Sequence, residues 1–221
     1  MIGIRIAVFD TIKGKGSKKG MLSNEAKRQR EIIAYLAVEQ DPEFRTRIAI
    51  AHALAVKFNT RWQNIYSSIF RDLDEILIPA NIIREKGRLP PKRGPRALQH
   101  EGVPYYELTQ AGMLIASCLD ELGEAKISIL RQCIDTIEQD MLREGMLLLL
   151  EVAPSLMLRL IREYVMHYSL EIDVMTPITA DKVRDVLADS IRSELEFIET
   201  FMSLNKDKRS ELVNFMHMLS Q

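Results

Sequence analysis

The sequence predicts a mainly α-helical protein with one two-stranded β-hairpin near its middle. Hydrophobic residues make up 47% of the 221 residues and aromatic residues only 6%, a composition that favours packed helices over a β-sandwich. Apolar residues recur at spacings of three and four along most of the chain, which is the period of amphipathic helices. A basic, proline-containing segment around residue 90 interrupts this pattern and predicts the hairpin.

Residues 1–22 are predicted to form an N-terminal strand and a basic arm. Ile4, Ile6 and Val8 alternate as in a short strand, and a run rich in lysine and glycine follows at residues 13–20. The glycines in this run do not have the spacing of a phosphate-binding loop. A basic arm that adds contacts to phosphate and a disordered terminus without function both remain open.

The first folded domain is predicted to span residues 23–122 and to begin with two helices. Residues 32–36 carry the apolar pattern of the first helix, and residues 51–58 carry that of the second. A third helix, a strand, a basic loop and a returning strand are predicted next, and a further helix closes the domain.

The third helix is expected to begin at Arg61, because Thr60 and Gln63 have the spacing of a capping box. One face is apolar and is expected to pack in the core; it carries Trp62, Ile65, Ile69, Leu73 and Ile76. The opposite face carries side chains that can hydrogen-bond base edges in the major groove. These candidate DNA-reading residues are Gln63, Asn64, Ser67 and Arg71. A polar face that is only solvated is the alternative.

A long basic loop is predicted at residues 84–96, where six residues are Lys or Arg and one is Glu. Its prolines exclude a helix, and its glycines, Gly87 and Gly94, permit tight turns. Residues 105–108 have the pattern of a returning strand, and Thr109 stands where the next helix needs its N-cap. The loop cations expected to contact phosphate are Lys86, Arg88, Lys92, Arg93 and Arg96.

This order of elements is that of a winged helix-turn-helix domain, with three helices and a two-stranded β-wing. Residues 102–112 contain the pattern Tyr-x-Leu-Thr-x-x-Gly and resemble the wing-to-helix junction of prokaryotic winged helix-turn-helix regulators, including the PadR-like group. The resemblance covers about residues 24–120, without the leucine-rich, His-Gly-Tyr-containing opening that PadR proteins usually show. It implies double-stranded DNA as the partner, although winged helices also serve as protein-docking modules.

The charge distribution is uneven along the chain. Residues 1–100 hold 19 basic and 10 acidic residues, whereas residues 101–221 hold 11 and 21. A basic half is expected to face a polyanion such as DNA. The alternative is that the two halves neutralise each other within one fold or across a dimer.

Residues 123–221 are predicted to form an acidic, all-α domain for dimerisation or for binding a partner or effector. A long helix is expected from about Glu124, with an apolar seam that carries Ile127, Leu130, Ile134, Ile137 and Met141. Further helices are predicted to begin at Pro154, after Thr179 and after Asn205. The seam packs either within the chain or on a second copy. The many methionines here fit an ordinary core or an adaptable ligand surface.

Several classes of function are disfavoured by the sequence. No apolar run is long enough to cross a membrane and no export signal is evident, so we expect a cytoplasmic, nucleoid-associated protein. Cys118 and Cys133 are expected to be buried free thiols, and no spacing of Cys or His predicts a metal site. No nucleophile-and-base arrangement stands out, so we expect neither a cofactor nor enzymatic activity.

The sequence therefore predicts a DNA-binding transcriptional regulator that acts as a homodimer. The alternative is a non-enzymatic structural or docking protein whose winged helix binds a protein partner, for example in a chromosome-associated complex. Asp72, Asp74 and Glu75 favour this alternative, because carboxylates near the end of the third helix repel phosphate.

Overall fold

Helices make up most of the computed structural model, which describes residues 6–11, 21–90 and 102–220. The described β-strands form one two-stranded antiparallel sheet, so the predicted mainly α architecture is confirmed. The elements are α1 (Asn24–Val38), α2 (Arg47–Lys57), α3 (Trp62–Arg71), β1 (Ile83–Leu89), β2 (Val103–Leu108), α4 (Gln110–Ser117), α5 (Ala125–Asp135), α6 (Asp140–Val152), α7 (Pro154–His167), α8 (Ile172–Met175), α9 (Ala180–Ser203) and α10 (Lys206–Leu219). Short 3₁₀ turns lie at Pro42–Arg45 and Asp120–Leu122, and a π-helical segment, Asp72–Leu77, continues α3.

The chain divides into two units, the first ending at Ala180 and the second beginning at Asp181. The centre of the first unit is α4, which is buried along almost its whole length and packs against α1, α5, α7 and β2. The predicted domain boundary between residues 122 and 123 falls inside this unit, because α5 packs on α4 directly after it.

The start of α3 differs from the predicted capping box by one residue. The helix begins at Trp62, and Arg61 takes the N-cap position without a side-chain hydrogen bond. The Thr60 N–H donates to the Ala55 carbonyl at 3.0 Å, so Thr60 belongs to the turn that closes α2. The capping-box prediction is therefore wrong, and Gln63 is left to face solvent.

The hairpin is longer than the sequence predicts. β1 and β2 pair with Arg84 opposite Glu107, so residues 84–89 are strand and not loop. Cross-strand pairing explains the difference, because backbone N–H and C=O groups of these residues form hydrogen bonds with β2 that a loop would lack. The pairing shifts between Glu85 and Gly87, which places Gly87 at a bulge inside the strand and not in a turn.

The predicted N-cap of α4 is confirmed. The Thr109 hydroxyl oxygen accepts the Gly112 N–H at 3.2 Å, and the Thr109 N–H donates to the Ile82 carbonyl at 3.0 Å. The first turn of α4 thus lies against the backbone at the start of β1. A Cβ atom on Gly112 would be 2.2 Å from the Ile82 carbonyl oxygen, so only glycine fits this contact.

The long helix predicted from Glu124 is two helices, α5 and α6. α5 ends at Asp135, and its C-cap residue, Thr136, donates its hydroxyl to the Cys133 carbonyl at 2.6 Å. Ile137 turns into the core, where its carbonyl accepts a hydrogen bond from Arg143 at 2.9 Å. The predicted seam therefore breaks before Met141, which is 90% exposed on α6.

The predicted starts of three later helices are confirmed. α7 begins at Pro154, a position where the missing N–H of proline costs no helical bond. α9 begins directly after Thr179, and the Asn205 side chain caps α10 by accepting the Lys208 N–H at 2.9 Å. Local side-chain and backbone chemistry sets the starts of α7 and α10.

The N-terminal segment and the two cysteines complete the first unit. Ile6, Ala7 and Val8 are buried but form no strand among the described residues, and Ile4 and residues 13–20 lie outside them.

Cys118 and Cys133 are buried free thiols, as predicted. Burial raises the pKa of Cys118 to about 11 and that of Cys133 to about 12, so neither is a thiolate at neutral pH.

Candidate nucleic-acid interface

The outer face of α3 presents the side chains that the sequence assigns to DNA reading. They are all exposed: Gln63, Asn64, Ser67 and Arg71. The opposite side of the helix is anchored by Ile69, which is fully buried. The helix thus offers polar groups to solvent over its ten residues while its inner side is fixed in the core.

An aromatic row separates these two sides of α3. Trp62, Tyr66 and Phe70 follow at intervals of four residues, with ring centroids 5.4 and 4.1 Å apart in sequence order. The Trp62 ring also lies 5.0 Å from the ring of His52 on α2. Trp62, predicted to be a core residue, is therefore half-buried in the contact between α2 and α3.

The carboxylate of Asp72, at the end of α3, is fully buried and paired with Arg28 of α1. Two bonds join them, from Arg28 Nε to Oδ2 at 2.5 Å and from Nη2 to Oδ1 at 3.1 Å. Arg71 lies 3.9 Å from Asp72 but keeps half of its side chain exposed. The negative charge of Asp72 is thus turned inward and neutralised by Arg28.

Asp74 is paired with Arg47 at the start of α2. The Arg47 guanidinium also lies over two rings, 5.3 Å from the Phe70 centroid and 5.4 Å from that of Tyr106 on β2. This contact joins α2, α3 and the hairpin. Of the three acids near the end of α3, Asp72 is buried, whereas Asp74 and Glu75 are both exposed.

A bridge between backbones attaches the hairpin to the helices at a second point. Thr46, directly before α2, pairs in antiparallel fashion with Tyr105 of β2. Together with the Arg47 contact, this bridge fixes the direction of the hairpin relative to α2 and α3.

Two carboxylates of the hairpin pair with three of its cations and offset part of their charge. Glu107 accepts from Arg84 Nη2 at 2.7 Å and from Lys86 Nζ at 2.8 Å. Burial acts to raise the pKa of Glu107, but the hydrogen bonds from Lys86 and Arg84 hold it below its ordinary value. Arg88 pairs with Glu85 at 2.7 Å. Binding of phosphate by Lys86 and Arg88 therefore competes with these ion pairs.

Three of the five predicted phosphate contacts, Lys92, Arg93 and Arg96, lie outside the described residues. Sequence reasoning also missed two arginines that shape the interface. Arg28 and Arg47 lie 44 and 27 residues from the aspartates that they bind, and no local pattern indicates such distant pairs.

Within the described ranges, no group of three or more His, Cys, Asp and Glu side chains is arranged to hold a metal ion. The helices of the same ranges also include none with the length and apolar character needed to cross a bilayer. No family model matches the chain, and searches of curated proteins and solved structures found no match. The chemistry of α3 and the hairpin is therefore the basis for proposing a function.

Proposed function

We propose that this protein is a DNA-binding transcriptional regulator that uses a winged helix, acts as a homodimer and works on the nucleoid in the cytoplasm. The observation that carries the proposal is the outer face of α3, where Gln63, Asn64, Ser67 and Arg71 are exposed. Amide, hydroxyl and guanidinium groups are those that distinguish base pairs in the major groove.

Charge supports the same proposal. The sequence raised Asp72, Asp74 and Glu75 as an objection to DNA binding, because carboxylates repel phosphate. The ion pairs of Asp72 with Arg28 and of Asp74 with Arg47 reduce that repulsion, whereas Glu75 stays exposed. The order of three helices, a hairpin and a fourth helix, together with the bridge before α2, supports the winged-helix proposal.

Replacing Lys92 and Arg93 together with alanine is expected to weaken binding to every duplex DNA, whatever its sequence. Each phosphate contact releases a counterion, so the loss of both should reduce the slope of log K against log salt concentration by about 2. Fluorescence anisotropy with a labelled duplex at several salt concentrations measures both effects.

The matched control removes two positive charges elsewhere, by Arg131→Ala with Arg162→Ala, both at exposed positions on α5 and α7. This variant should keep the original salt slope. If the double variant at 92 and 93 binds DNA as tightly as the unchanged protein, neither Lys92 nor Arg93 contacts phosphate, and the wing assignment is contradicted.

Replacing the α3 residues tests sequence reading separately. Gln63→Ala and Arg71→Ala should each weaken binding to a duplex selected from a random pool by about 1–3 kcal/mol, while binding to unrelated DNA changes much less. Competition titrations with selected and scrambled duplexes give the ratio of the two affinities. Gln132→Ala, an exposed position on α5, serves as the control. Equal losses on both duplexes would contradict base reading by α3.

One observation favours docking to a protein as a second candidate function. Lys86 and Arg88 of the hairpin are engaged by Glu107 and Glu85, which reduces the charge available for phosphate. A pull-down that recovers one protein in stoichiometric amount, with no duplex retained at low salt, would decide for this candidate.

A further inference from the structure

Helices α9 and α10 expose apolar surface that requires a partner. On α9, four apolar side chains at spacings of four, three and four are 42% to 70% exposed: Ile191, Leu195, Ile198 and Met202. On α10, exposed apolar side chains surround the second half of the helix: Val213, Phe215, Met216, Met218 and Leu219. An apolar surface of this extent on a soluble chain marks an interaction site.

The two helices do not cover one another. Only Leu204 and Asn205 separate them, and they make no extensive contact with each other. A helix of 14 residues such as α10 is marginal in water without packing. The stability of α10 therefore depends on packing against a surface other than α9 of the same chain.

Opposite charges lie beside these apolar surfaces. Residues 191–203 of α9 carry one cation, Arg192, and three carboxylates, those of Glu194, Glu196 and Glu199. Residues 206–211 of α10 carry the cations Lys206, Lys208 and Arg209 and the acids Asp207 and Glu211. The acidic half of α9 thus repels another α9 and attracts the first half of α10.

We propose that the partner is a second copy of this chain and that α10 of each copy packs antiparallel on α9 of the other. In this orientation the basic start of α10 lies along the acidic half of α9. The uncharged second half of α10 then lies towards Ile191 and the start of α9. This exchange of α10 between the two copies uses the same two surfaces in each copy, so the complex is a closed dimer with two-fold symmetry.

The proposal deepens the homodimer of the proposed function but does not depend on DNA binding. Ile198→Glu and Phe215→Glu each place a charge in the apolar contact and are expected to raise the Kd of the dimer by at least about 100-fold. Light scattering after gel filtration of the full chain, without DNA, measures the mass. Met141→Glu, at a 90% exposed position on α6, should leave the mass that of a dimer.

A mixture of two charge variants tests the exchange itself. Chains with Glu196→Lys and Glu199→Lys should dimerise about 10-fold more weakly, and so should chains with Lys206→Glu and Lys208→Glu, because like charges then face each other. Mixing the two should restore the dimer as a heterodimer, since each α9 then faces an α10 of opposite charge. Tagging one variant identifies that species.

Other outcomes would overturn the proposal. A monomer at tens of micromolar would leave α9 and α10 for a different partner, and a dimer unaffected by Ile198→Glu and Phe215→Glu would place the contact elsewhere. If the two charge variants dimerise as weakly after mixing as they do separately, α10 does not exchange between copies. Loss of DNA binding with the dimer intact would contradict only the proposed function.

Discussion

Replacing Gly112 with alanine is expected to lower the free energy of unfolding by about 3 kcal/mol or more, at or above the top of the usual range for overpacking. The new Cβ atom would be 2.2 Å from the Ile82 carbonyl oxygen and 3.2 Å from the Leu108 Cβ. A backbone oxygen cannot move aside as a flexible side chain does. Relief requires α4 to shift away from the base of the hairpin. Urea unfolding followed by circular dichroism measures the loss.

Gly145 provides a matched control. It lies in the interior of α6, is exposed, and an added Cβ would meet no atom within 4 Å. Gly145→Ala should therefore stabilise the protein by about 0.5–1 kcal/mol, because alanine loses less backbone entropy in a helix. If Gly112→Ala is as stable as Gly145→Ala, α4 does not approach the backbone of residue 82 this closely.

Replacing Arg28 with alanine is expected to cost about 3–5 kcal/mol, because it leaves a buried carboxylate without its partner. Asp72 is fully buried, and Arg28 supplies both bonds to its oxygens. Water or a shift of the π-helical segment must then solvate the charge, and either change disturbs the end of α3. Thermal and urea unfolding of the variant measure the effect.

Two further variants test whether the loss of stability comes from breaking the buried ion pair or from removing any positive charge. Arg184→Ala removes a pair in which both side chains are largely exposed, and it should change stability by less than about 0.5 kcal/mol. Arg28→Met combined with Asp72→Leu removes both charges and should be more stable than Arg28→Ala alone. A double variant as unstable as the single one would show that lost packing, and not the unpaired carboxylate, is responsible.

Both residues act on the same part of the molecule. Gly112 lets α4 lie against the start of β1, and Arg28 ties the end of α3 to α1. These two contacts, together with the Arg47 contact and the bridge from Thr46 to Tyr105, hold the polar face of α3 and the hairpin in their relative positions. Loss of either Gly112 or Arg28 is therefore expected to weaken the proposed DNA binding, although neither residue lies on the exposed face of α3.

The sequence predicted those elements whose boundaries depend on neighbouring residues. The cap by Thr109, the start of α7 at Pro154 and the cap by Asn205 each involve atoms within about one helical turn. The exposed face of α3 was predictable because Ile69 and its apolar neighbours repeat with the helical period.

Prediction failed where another contact, near or distant in the sequence, overrode the pattern that the residues suggest. Thr60 resembles a helix cap, but its N–H closes α2 by bonding Ala55. The apolar period runs on from α5 to Met141, but the bond from Arg143 to the Ile137 carbonyl and the burial of Ile137 end the helix there. Residues 84–89 look like a basic loop, but β2 pairs with them.

The sequence by itself determined the order of the helices and the hairpin and the polar character of the α3 face, because helical period and capping act over a few residues. Only the tertiary structure decided which charges remain near that face and how the face is held relative to the hairpin. Asp72 is neutralised by a residue 44 positions away, and Gly112 is required by the backbone of Ile82, 30 positions before it. Such contacts depend on how the chain packs in three dimensions, which a linear pattern does not carry.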